Sequence, residues 1–146
     1  MFRGSAPTKI DDKGRLKIPT EFRRILDETY GPEVFITSVR GESAVVYPLQ
    51  VWEEIERKLA AVPNSDRSKH RFLERVNYFG QQARLDAQGR VVIPQILREQ
   101  AQMVGEAIVS GRIDQLEVWN RERFGQKLDA EPFTEEDFQN LATYGI

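Results

Sequence analysis

The chain has no cysteine and only one histidine among its 146 residues. Without cysteine there is no disulfide framework, no thiolate metal site and no cysteine nucleophile. Packing alone has to hold the fold. The one histidine, His70, lies in the basic run Arg67-Ser68-Lys69-His70-Arg71, so a single chain assembles neither a histidine-rich metal site nor a conventional triad. Long apolar runs are missing too. None approaches the roughly 20 residues that span a bilayer, and Met1-Phe2-Arg3-Gly4-Ser5 lacks the apolar stretch of a secretory signal. The expectation is a cytoplasmic protein with no membrane partner, no cofactor and no small-molecule substrate. An excess of positive charge is also absent: the formal net charge is −2, which by itself argues against nucleic acid as a partner.

The distribution of charge says otherwise. Residues 1 to 24 carry Arg3, Lys9, Lys13, Arg15, Lys17, Arg23 and Arg24 against Asp11, Asp12 and Glu21, whereas Asp129 is followed by Glu131, Glu135, Glu136 and Asp137 with no basic residue. Attraction for a polyanion is set by the field near the contact rather than by the total, so a basic face on an acidic body is compatible with nucleic acid. It is equally compatible with an unevenly charged solvated surface. A 40% hydrophobic and 30% charged composition is ordinary for a globular protein, and the length suits one domain or two small units sharing a core.

The sequence repeats itself. Ile10-Asp11-Asp12-Lys13-Gly14-Arg15-Leu16-Lys17-Ile18-Pro19, followed by Phe22-Arg23, returns as Leu85-Asp86-Ala87-Gln88-Gly89-Arg90-Val91-Val92-Ile93-Pro94, followed by Leu97-Arg98. The likeness continues from Ile36-Thr37-Ser38-Val39-Arg40 to Ile108-Val109-Ser110-Gly111-Arg112, from Val46-Tyr47 to Val118-Trp119, and from Trp52 to Phe124. Two matching blocks imply two equivalent units. In each, the Asp-x-x-Gly-Arg stretch lies between apolar segments, and Gly14 or Gly89 supplies the positive φ of a tight reversal. That is a strand-turn-strand signal. Leu16 and Ile18 alternate with Lys17, which buries one face and displays a cation on the other.

Pro19 and Pro94 suit the first turn of a helix. Helices are predicted there, with buried stripes of Phe22, Ile25 and Leu26 in one and Leu97, Ala101 and Val104 in the other. Val34-Phe35-Ile36, Ala44 to Tyr47, Ala107-Ile108-Val109 and Leu116 to Trp119 read as strands. A helix follows in each half, one with Val51, Ile55, Leu59 and Val62 on a face and Pro63 beyond it, the other capped by Asn120 between Trp119 and Phe124. Asn64-Ser65-Asp66 can cap a helix striped by Leu73 and Val76, with Phe72 and Phe79 beside it. Thr134 and Asp137 have capping-box spacing inside a Phe133–Phe138 staple. The division is a first unit at 1–63, a connecting helix at 64–79, a second unit at 80–125 and a helical tail at 126–146. No flexible Gly/Ser linker separates the halves, so they should pack as one body.

The doubled Asp-x-x-Gly-Arg-x-x-Ile-Pro block resembles the MraZ family, a two-copy branch of the AbrB-like swapped-hairpin proteins. Phe2 and Gly4, Asp11 with Lys13 to Leu16, Asp86 with Gln88 to Arg90, and Leu116 to Trp119 carry the likeness, over residues 1 to about 125. The resemblance implies an α+β fold in which two AbrB-like swapped-hairpin units interleave into a pseudo-twofold β-barrel with flanking helices. It also implies a nucleoid-associated, ring-shaped homo-oligomer that binds repeated elements in double-stranded promoter DNA of the division and cell-wall gene cluster, usually as a repressor. Ala87 and Gln88 stand in the second turn where the first has Asp12 and Lys13, and the acidic tail does not align.

Lys13, Arg15 and Lys17 form one cationic strip if the turn preserves strand alternation. Guanidinium can grip phosphate or guanine, and lysines act as point charges. Arg3, Lys9, Lys13, Arg15, Lys17, Arg84 and Arg90 are therefore the candidate DNA-binding residues; the other reading of Arg15 is a local pair with Asp11 that pins the hairpin. Asp11, Gly14, Asp86 and Gly89 are assigned to structuring the turns, since a carboxylate facing DNA repels phosphate. Reading Asp11 and Asp12 as a metal-binding nuclease pair fails for want of a third carboxylate. The basic residues from Arg67 to Arg75 read as a solvated helix face rather than a second DNA surface. An antitoxin-like protein-interaction module is the alternative function, and the shortness of the tail argues against it. No catalytic residue is identified.

Overall fold

The computed structural model describes all 146 residues. Eight strands form one antiparallel sheet in the order β5-β3-β4-β8-β7-β1-β2-β6: β1 (Ser5–Ile10), β2 (Arg15–Lys17), β3 (Glu33–Thr37), β4 (Ala44–Pro48), β5 (Gln81–Arg84), β6 (Arg90–Val92), β7 (Gly105–Gly111) and β8 (Leu116–Asn120). Its ends, β5 and β6, meet through their shared turn, so the sheet curls into a nearly closed barrel. The helices are α1 (Thr20–Ile25, continued by a π-helical turn at Leu26–Tyr30), α2 (Leu49–Ala61), α3 (Arg67–Phe79), α4 (Gln95–Ala101), α5 (Arg121–Ala130) and α6 (Glu135–Ala142). None of them is long and apolar enough to cross a membrane.

The two halves are interleaved rather than placed side by side. β1 runs along β7 and β5 along β3, while β2 pairs with β6 and β4 with β8. Each hairpin thus completes the sheet of the other half, which is the expected swapped-hairpin α+β architecture. Alternation explains the core: Leu16, Ile18, Val34, Ile36 and Val46 from one half meet Val91, Ile93, Ala107, Val109 and Val118 from the other in one cluster of 21 buried residues. Neither half buries its inner face alone. Burying a Leu, Ile or Val side chain is worth about 1.5–3 kcal/mol, so the shared core ties the stability of each unit to its partner.

The helix signals locate the elements well. Pro19 and Pro94 precede α1 and α4 as N-caps, one residue before the first turn where the sequence placed them. Asp66 accepts from the Lys69 amide at 3.0 Å, Asn120 from Arg123 at 3.1 Å, and Thr134 forms its reciprocal box with Asp137. Phe124 packs on Trp119 and Phe138 on Phe133. Val104 is a correction. It is 64% exposed, because Gln102 adopts φ 53° and ends α4, and the following turn delivers Met103 to the core instead.

Candidate nucleic-acid interface

Both turns are built alike. In the first, the Asp11 carboxylate accepts the amides of Lys13 at 3.0 Å and Arg15 at 2.9 Å, and its second oxygen accepts Arg15 Nε at 2.6 Å. In the second, Asp86 accepts the amides of Gln88 and Arg90 and then Arg90 Nε, each at 2.9 Å. The Arg15 and Arg90 amides, followed by the guanidinium bonds, hold both carboxyls below the usual carboxylate range despite some desolvation. The aspartates therefore stay ionised and offset part of the charge of the arginine each one holds. They occupy one edge of each guanidinium and fix its direction, leaving Nη1 and Nη2 of both arginines without a protein acceptor.

Gly14 at φ +80° and Gly89 at φ +73° close the reversals, in backbone that an L side chain rarely adopts. They also stitch the turns together: the Gly89 carbonyl accepts from Ile18 and the Gly14 carbonyl from Ile93, both at 2.9 Å. Between these two bonds lies the antiparallel β2–β6 ladder, with Arg15 opposite Val92, Leu16 opposite Val91 and Lys17 opposite Arg90. Leu16 and Val91 point into the core. The outer face of the ribbon consequently carries Arg15, Lys17, Arg90 and the half-exposed Val92.

The cationic strip therefore runs differently from the expected one. Arg15 and Lys17 do share a face, but the positive φ of Gly14 breaks the alternation, so Lys13 sits at the turn tip and the strip continues across the ladder to Arg90. Lys9 projects outward from β1 opposite Glu106. Arg84 is held by Glu33 at 2.6 Å across β5 and β3. Arg3 is not brought to the ribbon: it precedes β1 at the end away from the turn, next to Gly111, and six strand residues rising about 3.3 Å each separate it from the turn.

That Arg23 and Arg98 cover the two turns was missed, although the repeated Phe22-Arg23 and Leu97-Arg98 pairs marked them. Arg23 lies over Gly89, and Arg98 over Gly14. No group of His, Cys, Asp and Glu side chains here is arranged to hold a metal ion.

This doubled turn, with one hairpin of each half completing the other's sheet, can be compared with known proteins. The family model described as "MraZ protein, putative antitoxin-like" matches residues 1–75 and 80–143. The chain belongs to the MraZ family. Among its MraZ relatives, a protein of Acidobacterium capsulatum is 53% identical over the whole of both chains, and one of Koribacter versatilis 44% identical, again over both whole chains. A third, from Syntrophobacter fumaroxidans, is 33% identical over 90% of this chain and 89% of its own. All three bear the name "Transcriptional regulator MraZ". The two MraZ matches fall on either side of residues 76–79, at the end of α3.

Proposed function

We propose that the chain is a sequence-specific DNA-binding transcriptional regulator that lays the β2–β6 ribbon and its two turns on double-stranded promoter DNA. One observation carries this reading: the ladder lines up Arg15, Lys17 and Arg90 on an outward face, with each arginine aimed by an aspartate through Nε and its terminal nitrogens free of protein acceptors. A two-stranded ribbon fits the roughly 12 Å major groove, where guanidinium pairs with guanine, and phosphates on the rim attract the lysines. The names of the relatives support regulation of transcription. The targets are the division and cell-wall gene cluster, and the regulator works there as a ring-shaped homo-oligomer on repeated elements. Within it, units 1–63 and 80–125, joined by the helix in 64–79, form the DNA-facing body, and 126–146 is an accessory tail. An antitoxin-like interaction module is the second reading. It is favoured by the family description and by exposed Phe133, Phe138 and Tyr144 in the tail.

Fragmented genomic DNA captured by the purified protein supplies the test. Captured fragments should hold repeated elements, log affinity should fall linearly with log salt by about 0.9 per phosphate neutralised, and a spaced array should bind about 10² to 10⁴ times more tightly than one element. Affinity that is flat with salt, or equal for one element and the array, defeats the proposal. Stoichiometric capture of a small toxin in place of DNA establishes the second reading.

A further inference from the structure

The two hairpin turns are covered by equivalent arginines that are held differently. A Cβ built on Gly89 would meet Arg23 Cδ at 2.7 Å, and one on Gly14 would meet the Arg98 guanidinium carbon at 2.4 Å. Each arginine thus comes from the half that does not own the turn. Arg23 is engaged: Nη2 donates to the Ala87 carbonyl at 2.9 Å, and Nε lies 3.8 Å from Asp27. Arg98 has no such partners. At the place corresponding to Asp27 stands Gln102, in the left-handed backbone that ends α4, and no oxygen accepts from the Arg98 guanidinium. Its Nε is buried without a partner, whereas Nη1 and Nη2 keep contact with solvent.

A buried donor without an acceptor costs free energy, and more when it is charged. Here the cost is borne at the backbone between Lys13 and Arg15, beside a ribbon that already offers cations. We propose that Arg98 is a DNA-phosphate ligand of the first turn, contributed by the second half of the chain. The absence of a side chain at Gly14 lets the guanidinium lie flat against the turn, and its two free nitrogens match two oxygens of one phosphate. The assignment rests on the DNA-binding reading above. It gives the first turn a cation that its own half does not encode.

The probe is a duplex selected by the wild-type protein from fragmented genomic DNA, titrated over a salt series against Arg98→Gln, Arg98→Lys, Arg23→Gln and Arg15→Ala. Arg98→Gln is expected to bind about tenfold more weakly with the salt slope shallower by about 0.9 per site, while its melting temperature stays at the wild-type value. Arg98→Lys should retain the slope, and Arg23→Gln should lower the melting temperature and leave the slope alone. If the glutamine variant does not fold, Arg98→Met, which keeps the apolar stem, gives the same reading. An unchanged affinity and slope for Arg98→Gln, or a lowered melting temperature without a change of slope, overturns the assignment. When Arg15→Ala still weakens binding in that case, the DNA-binding reading stands; when neither variant matters, the reading itself fails.

Discussion

The two turns differ less in their arginines than in what surrounds them. Arg15 and Arg90 are 33% and 29% exposed, and each is tied through Nε to its own aspartate. Pairing with the aspartate therefore does not separate a DNA-reading arginine from a structural one. The surroundings do: Arg15 has Lys13 at its tip, Val92 across the ladder and the unengaged Arg98 over its glycine, whereas Arg90 has Gln88, Lys17 and the engaged Arg23. In formal charge Asp12 cancels the gain from Lys13, leaving this pair level with the neutral Ala87 and Gln88, so the uncommitted surplus of the first turn is Arg98. Duplicated geometry with diverged neighbours teaches that the asymmetry of such a protein resides in the residues around the motif.

The largest effect should come from the arginines themselves. Arg15→Ala is expected to cost about 1–3 kcal/mol per site if the residue reads a base, a loss that multiplies across copies engaged on an array. Arg90→Ala should cost less, because its turn supplies fewer uncommitted cations. Binding isotherms on arrays, taken with variants that keep the wild-type oligomer and melting transition, check this. Wild-type affinity for Arg15→Ala together with failure of Arg90→Ala would reverse the assignment of the dominant turn.

Next comes the strength with which each turn is held. Replacing either glycine by Ala forces an L side chain into left-handed backbone, at about 1–2 kcal/mol. Gly14→Ala then displaces only the far end of Arg98, but Gly89→Ala pushes on Arg23 near its Cδ and breaks the bond to the Ala87 carbonyl. The melting temperature should accordingly fall further for Gly89→Ala than for Gly14→Ala. An equal fall would mean that Arg23 and Arg98 are held equally well.

Acid should loosen both turns by the same mechanism. The folded-state pKa values of Asp11 and Asp86 are depressed, first by the Arg15 and Arg90 amides. On acidification the unfolded chain takes up these protons before the folded one, so the contribution is present above the ordinary aspartate range and is lost as pH falls through the folded values. Asp11→Asn and Asp86→Asn should each flatten the acid limb of a melting-temperature profile. A limb as steep as that of the wild type in the double variant would remove the aspartates from the account.

The repeat, the reversals and the helix starts were legible because they are local: a glycine spacing, a proline, a cap. The ladder that sets Lys17 against Arg90 was not, since strand pairing across the halves is fixed by how the shared core closes. The same holds for the Arg84–Glu33 pair. Arg23 and Arg98 stood in plain view as repeated letters, yet only the swap carries each to the other's glycine. Val104 was misplaced because periodicity continues past the residue at which Gln102 turns the backbone aside.

The smallest effect tests whether the ribbon's asymmetry matters at all. Val92 stands where the first half has Lys17, faces outward beside Arg15 and is 52% exposed. Lysine is accommodated there without burial, and its stem covers the same surface. Val92→Lys makes the outer face nearly twofold symmetric and adds a charge directly across the ladder from Arg15, where facing residues lie about 5 Å apart. Affinity for arbitrary duplex DNA should rise, with a salt slope steeper by at most about 0.9 per site. Discrimination between a selected element and arbitrary DNA should fall, because the added attraction is blind to sequence. If discrimination holds while the slope steepens, Val92 is a bystander on the rim and Arg15 alone carries the asymmetry of the ribbon. If neither changes, the centre of the ribbon does not face DNA, and the contact belongs to the turns.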